Sequence, residues 1–434
     1  MVLLLIFARI GLIMSATEKT TRFLASALRG VDVSGLSVRL WDGTEWSQGK
    51  SSRKTGTLVL NHPGALKKMF LSPGELSLGE AYIYGDFDIE GDIQAILELG
   101  VNIMTLRWDA IEKARYAAML LTLPGSGDFK EKHAASRKGQ LHSKVRDRDS
   151  VSFAYDISND FFSLFLDERM LYSCAYFKKP SDSLDKAQLQ KLDLVCRKLN
   201  LKKGEKLLDL GCGWGALGIH AVKYYGATSH GVTLSKEQAK FANDWIKKEG
   251  IGKQCKIEVR DYRDIPQKQQ YDKIGAIGVM EHIGKDQLPG YFESVRDLMR
   301  PGGLILCHGI ATNGPDGGGA SPFTQKYIFP DGDPANAASR LTAAIDAGLE
   351  VWDIDNLREH YVLTASHWLM RLERNRKKII EIKDEIFYRI AWIGLAGGYY
   401  RFSSGANALI QGLYYKPDKT RNNPLPLLKE PWYK

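Results

Sequence analysis

The sequence predicts an α/β protein, a doubly wound parallel sheet preceded by a small α+β domain. Three observations predict it. From Tyr155 onward, strand-like runs alternate with helical ones, as KLLDLG, SHGVTL, CKIEV, DKIGAIGVM and GLILCHGI, and such alternation is the mark of a parallel sheet with helical crossovers. A strand ending at Asp209-Leu210 runs into three closely spaced glycines, Gly211, Gly213 and Gly215, at the place where such a sheet meets its ligand. The chain of 434 residues also exceeds what one core ordinarily serves.

The elements follow in order. Residues 1–14, MVLLLIFARIGLIM, are apolar, but the run is too short to span a bilayer and Arg9 interrupts it. No basic residues precede the apolar core as a signal peptide requires, so an over-extended start fits best and a weak membrane anchor is the alternative. Residues 15–124 predict the small α+β domain, with short strands in LSVRLWDGTEW and GTLVLNHPGALKKMF and turn glycines in LSLGEAYIYGDFDIEGDIQAILELG. Residues 125–150, GSGDFKEKHAASRKGQLHSKVRDRDS, are densely charged with almost no large apolar side chain. They predict a basic linker, solvated or membrane-facing. Residues 151–434 form the main α/β domain, which includes the amphipathic helix SLDKAQLQKLDLVCRKLNL.

Hydrophobic residues make up 44% and charged residues 26%, as in a soluble globular protein. The net charge of +9 suits an anionic partner, nucleic acid or a membrane surface. Cys174, Cys196, Cys212, Cys255 and Cys307 form no CxxC pair, so neither a zinc site nor a disulfide framework is expected and a reducing cytoplasm is. A glycine turn alone serves NAD, FAD or S-adenosylmethionine (SAM). A dinucleotide site asks for an acid about 20 residues beyond the glycines, and HGVTLSKEQ has none at its strand end. Ser235 there opens a helix, with Gln238 three residues on, as a capping box.

Together DLGCGWGALG, GVTLSKEQ, YDISNDFFSLFL, YSCAYF, VMEHIG and LCHGI resemble the cyclopropane-fatty-acid synthase family, from about Ser152 to Gln411. The resemblance implies a Rossmann-like class I SAM-dependent methyltransferase domain. It implies SAM contacts from Tyr172 and Ser173 on the lid side, and from Gly211, Cys212 and Gly213 beneath the methionine portion. Thr233, Leu234, Ser235 and Gln238 would hold the ribose and nearby atoms, Tyr262 and Arg263 would flank the adenine, and Ile277 would line the floor. Arg263 departs from the family pattern, in which the mycolic enzymes carry an acid.

The implied chemistry is demanding. A cis double bond is a poor nucleophile, methyl transfer to it leaves a carbocation, and ring closure requires a proton to leave the added methyl. The site must exclude water and still supply a base. The resemblance assigns that task to Cys174, Glu281, His308, Tyr361 and the backbone at Ile310, which would cage a bicarbonate ion as proton acceptor. Glu281 is expected either to carry a proton or to pair with His308; His282 is read as structural. FTQKYIFPDG would cover the lipid pocket, and the helices from ASHWLM to GGYYRF would wall an acyl channel. Arg371, Arg374, Arg376, Lys377 and Lys378 would meet lipid phosphates or solvent, and the glycine-rich stretch 314–320 is a lengthened loop. The implied activity is cyclopropane formation on an unsaturated phospholipid, by a cytoplasmic protein held peripherally at the inner face of the membrane, with a homodimer as a further expectation. Methyl- or methylene-branching, or a silent lipid-binding module, are the alternatives. No metal is expected, and no nucleic acid, since no base-stacking platform appears.

Overall fold

The structure is a computed structural model. It describes residues 14–434 except 32, 34, 49–54, 106–107, 126, 128–129, 267–269, 315–319 and 419–424. The proposed over-extended start and most of the 314–320 loop therefore lie outside the described residues. Contacts divide the chain into two units, residues 1–134 with 383–400, and 135–382 with 401–434.

In the first unit, β1 (Leu36–Arg39), β2 (Glu45–Trp46), β3 (Gly56–Leu60) and β4 (Phe87–Gly91) form a sheet in the order β2-β1-β3-β4. The helix Ala16–Ala27 starts at a capping box between Ser15 and Glu18 and buries Phe23, Leu24 and Ala27. Phe23 packs on the rings of Phe70 and Tyr116. Residues 383–400 were read from sequence as part of the main domain, but they pack here. Arg389 donates to the carbonyls of Tyr82 and Phe87, both at 2.8 Å, lies over the Tyr82 ring and pairs with Asp88. Partners some 300 residues apart leave no local signal.

In the second unit the sheet order is β10-β11-β9-β8-β5-β6-β7. Its strands are β5 (Lys206–Leu210), β6 (Thr228–Thr233), β7 (Cys255–Val259), β8 (Tyr271–Ile277), β9 (Met299–Thr312), β10 (Glu350–Asn356) and β11 (Asn407–Tyr415). β9, β8, β5, β6 and β7 run parallel, whereas β11 is antiparallel to both β9 and β10. The sheet is therefore mixed, a difference from the wholly parallel sheet read from sequence. β11 escaped that reading because it lies between two strands with both faces covered, and so shows no alternation. Successive side chains feed opposite layers: Leu208 and Ile305 enter one apolar cluster, Leu207 and Leu306 the other.

The charged stretch read as a linker contains a helix, Lys144–Tyr155, capped by Ser143. Arg146 grips Asp331 through a two-pronged bond of 2.8 and 2.7 Å, Ser150 donates to the same carboxylate, and Lys144 pairs with Asp264. Two of its cations, Arg146 and Lys144, are met by acids far along the chain.

A second buried pairing makes a stability prediction. Lys198 is 1% exposed and donates to Asp353 (2.6 Å) and Asp355 (2.5 Å), with Lys429 on the other oxygen of Asp353. Lys198→Met leaves the fully buried Asp353 with only the exposed Lys429 as partner, and should cost about 3–5 kcal/mol in urea unfolding. A loss below about 1 kcal/mol would place this pair with surface salt bridges.

Candidate active site

A cavity opens at the carboxyl ends of β5, β6 and β8, the position a ligand takes in an open α/β sheet. Gly211, Gly213 and Gly215 all have positive φ, +64°, +53° and +89°, where side chains are strained. Their surroundings differ. A Cβ on Gly211 would meet Val279 Cγ2 at 2.6 Å, and one on Gly215 would meet Ile257 Cδ1 at 2.7 Å and Ala242 Cβ at 3.0 Å. A Cβ on Gly213 would meet no protein atom within 4 Å. Gly215 therefore lets the helix Ala216–Tyr225 settle on the sheet, while Gly213 faces open space.

Of the residues assigned to SAM, Gly211, Cys212 and Gly213 line the cavity, as do Tyr172 and Ser173. Thr233, Leu234 and Gln238 line it from the end of β6, and Tyr262, Arg263 and Ile277 complete the set. Ser235 does not. It is fully buried, caps the helix Lys236–Lys248 by accepting from the Gln238 amide at 3.0 Å, and donates to Asp156. Its hydroxyl is thus engaged within the protein, outside the cavity lining. Gln238 does not close the expected capping box; its side-chain oxygen accepts from Thr233 Oγ1 at 2.8 Å. Arg263 bonds both oxygens of Asp261, Asp147 and the His142 carbonyl, with its guanidinium 5.6 Å from the Tyr262 ring centre. The cation that departs from the family pattern is neutralised internally.

The cavity also holds residues the sequence reading missed, among them Tyr155, Lys191 and Asp209, and it holds His282, which had been read as structural. His282 Nε2 lies 3.2 Å from the Tyr155 hydroxyl, and burial pushes its pKa down to about 4. Lys191 is 1% exposed and donates to Ser173 Oγ at 2.8 Å; burial lowers its pKa to about 8. Asp209 is pushed up to about 7 by burial, and its Oδ2 has no partner. A signal for Lys191 existed. Leu184, Ala187, Gln188, Lys191, Leu192 and Val195 share one buried helix face, so a lysine sits in an apolar stripe. From the FTQKYIFPDG segment, Phe329 sets its ring 6.0–6.3 Å from those of His282, Tyr155 and Tyr172.

The five residues assigned to proton removal do not line this cavity. His308 and Ile310 sit two apart on β9, and Glu281 lies on the short helix Met280–Ile283 after β8. Glu281 Oε1 accepts from the Ile310 amide at 2.8 Å, and its Oε2 has no partner. Nearby, Arg340 donates to the carbonyls of Gly309 and Ile310. The expected Glu281–His308 pairing is not formed; the β9 amide takes that carboxylate, and His308 Nδ1 faces Gln411 Nε2 at 3.1 Å across the β9–β11 ladder. His308 Nε2 is buried without a partner. Ile310 and Tyr361 pack on the apolar cluster of Cys174, Leu357 and Leu409. The Cys174 thiol points to the carbonyls of Ala175 (3.3 Å) and Leu357 (3.8 Å). Tyr361 stacks on Phe402, ring centres 4.1 Å apart.

Burial sets the charge states. It raises Glu281, against the opposing pull of Arg340 and the Ile310 amide, and it holds His308 well below its ordinary range, with Lys191 and Lys198 adding to the effect. It drives Cys174 and Tyr361 upward, so both stay protonated. The group offers neutral donors and one reluctant carboxyl in an apolar setting, a combination suited to an oxyanion and hostile to bulk water. In the basic cluster, Arg371 is spent on the Leu166 carbonyl and Asp185, while Arg374, Lys377 and Lys378 are exposed. No group of acidic, His or Cys side chains among the described residues could hold a metal ion.

A family model described as "Mycolic acid cyclopropane synthetase" matches residues 142–412, and one described as "Domain of unknown function (DUF7884)" matches residues 23–104. The chain is 35% identical over 403 residues to a probable fatty acid methyltransferase of Pseudomonas putida, covering 92% of this chain and 96% of that one. It is 32% identical over 324 residues to the cyclopropane-fatty-acyl-phospholipid synthase of Escherichia coli K12, covering 74% and 78%. Among solved structures, mycolic acid cyclopropane synthase CmaA1 complexed with SAH and CTAB aligns with a TM-score of 0.58 at 29% identity, over 62% of this chain and 97% of that one.

Proposed function

The chain belongs to the mycolic acid cyclopropane synthetase family of SAM-dependent methyltransferases, and from that premise we propose that it adds the SAM methyl carbon across a cis double bond of a phospholipid acyl chain, closing a cyclopropane ring with bicarbonate as proton acceptor. The observation that carries this reading is a pair of buried polar atoms without partners, Glu281 Oε2 and His308 Nε2; Glu281 acts through space on the buried Tyr361, which packs on the apolar cluster around Cys174. Orphaned buried groups of this kind are costly unless a ligand satisfies them.

SAM, when bound, supplies an electrophilic methyl group. Gly213 gives its backbone room, and Tyr155, Tyr172 and Phe329 crowd the same region with aromatic surface that keeps water from a cationic acyl chain. Bicarbonate, when bound, supplies a base that no neutral side chain here could match. His308 would donate to it through Nε2, since Nδ1 faces the Gln411 amide, and Tyr361 through its hydroxyl. Glu281 would act in its protonated form beside that anion, because burial already favours the neutral acid. No helix among the described residues is long and apolar enough to cross a membrane. Peripheral docking, with the exposed Arg374, Lys377 and Lys378 toward lipid phosphates, belongs to this reading.

A second reading keeps the methyl transfer and changes the outcome. The Pseudomonas putida relative, matched over almost its whole length, is named a fatty acid methyltransferase. The Ile310 amide is taken by Glu281 and the Cys174 thiol faces carbonyls, so fewer donors remain for an anion. The cation would then move by a 1,2-hydride shift onto the methyl-bearing carbon and lose a proton from the added methyl, leaving a methylene branch. Purified enzyme, SAM and vesicles of cis-unsaturated phospholipid decide between them. Both products gain one CH₂, so mass spectrometry tests the transfer, and proton NMR separates upfield ring protons from the olefinic protons of a methylene branch. Ring protons are expected. Absence of the mass gain overturns both readings.

A further inference from the structure

Three cations line the cofactor cavity, and two of them are already matched. Arg260 bonds Glu258 and the Asp264 carbonyl, and Arg263 holds Asp261 and Asp147. Lys191 differs. The residue is 1% exposed, its ammonium hydrogen-bonds the neutral hydroxyl of Ser173 at 2.8 Å, and it forms no ion pair among the described residues. Asp167 and Asp209 lie near enough to act on it through space, yet Asp167 is engaged by the amides of Arg169 and Leu171, and Asp209 Oδ2 is itself unpartnered. A buried ammonium with only a neutral partner is a costly arrangement. It becomes intelligible if the missing counter-charge arrives with a ligand.

The ligand of this family cavity carries one anionic group. The sulfonium and α-ammonium of SAM are cations, the adenosine is neutral, and only the amino-acid carboxylate is negative. We propose that Lys191 is the seat of the SAM carboxylate, with Ser173 Oγ beside it as a neutral second donor, so that the lysine recognises the amino-acid end of the cofactor. The inference rests on the SAM reading of the cavity. It assigns a role to a residue that none of the motifs contains, and it explains a lysine on a buried, mostly apolar helix face. Burial lowers its pKa to about 8, and a bound anion beside it would favour the charged form. The same oxyanion chemistry could come instead from bicarbonate, because Lys191 also acts through space on Cys174 and His308. The cavity wall favours the cofactor, since Lys191 lines it and none of Cys174, Glu281, His308 and Tyr361 does.

The test is calorimetry on the full chain with SAM and with decarboxylated SAM, which lacks only the carboxylate. Wild type should prefer SAM by roughly 10- to 100-fold, as a charge-assisted bond implies. Lys191→Met should lose SAM affinity by that factor and leave decarboxylated SAM within about twofold, so that the preference vanishes. Lys191→Gln, which keeps a donor for Ser173, should behave likewise. Equal weakening of both ligands, or an undiminished preference in the variants, overturns the proposal. So does unchanged SAM affinity with a raised bicarbonate requirement, which would hand Lys191 to the other anion. If neither variant folds, the wild-type ratio decides: parity between the two ligands overturns it. Failure of wild type to bind SAM at all would instead strike the cofactor reading itself.

Discussion

Glu281→Gln and His308→Gln should each lower turnover by roughly 10²- to 10⁴-fold, the contribution of a positioned acid–base group, with SAM affinity nearly unchanged. The glutamine at 281 keeps an oxygen for the Ile310 amide, which Glu281 Oε1 holds at 2.8 Å. The substitution therefore removes the titratable oxygen that lacks a partner and spares β9. At 308, glutamine removes the buried Nε2 that has none. Neither residue lines the cofactor cavity, which is why binding should survive. The double variant should be little worse than the worse single one, because both act on one ion. Tyr361→Phe should fall in the same range. Cys174→Ala should be milder, since the thiol already points to two backbone carbonyls and burial keeps it protonated. Carbonate-free buffer should slow the wild type, and added bicarbonate should restore it. A trapped covalent adduct on Cys174, or bicarbonate-independent turnover, would remove the proton-acceptor mechanism.

Gly213→Val should abolish measurable SAM binding in a protein that still folds, whereas Gly215→Val should damage the fold first. The difference lies in what surrounds each position. At Gly213 an added Cβ meets no protein atom within 4 Å, so beyond the φ strain, about 1–2 kcal/mol, the added atoms enter cavity space. Loss of affinity on the order of 10²-fold or more is expected in calorimetry, the equivalent of a 3 kcal/mol overlap. At Gly215 the side chain strikes Ile257 and Ala242, and the cost falls on the packing of a helix against its strand. If folded Gly213→Val bound SAM as wild type does, the glycine turn would not be the cofactor's seat.

Some of this was legible in the chain. The strand ending at Leu210, the turn glycines and the cap at Ser235 are local features, each governed by a few adjacent residues and their φ values, and the sequence states them directly. The helix at the end of the segment read as a linker was hidden for the opposite reason. Its Arg146 and Lys144 look solvated because their acids, Asp331 and Asp264, stand 185 and 120 residues away. Helix 385–403 likewise looked like wall for the main domain, until Arg389 found Tyr82, Phe87 and Asp88.

By itself, then, the sequence determined the alternation of strands and helices, the glycine turn and the identities of the residues available for chemistry, because backbone conformation and side-chain type are short-range properties. Only the tertiary structure decided how those residues are used. It turned Ser235 inward to Asp156, gave the Ile310 amide to Glu281 in place of a His308 pair, and left Lys191 as a buried cation hydrogen-bonded to a neutral hydroxyl. Hydrogen-bond partnership and desolvation depend on which atoms meet across the fold and on where water is shut out, and neither quantity exists until the chain has closed on itself.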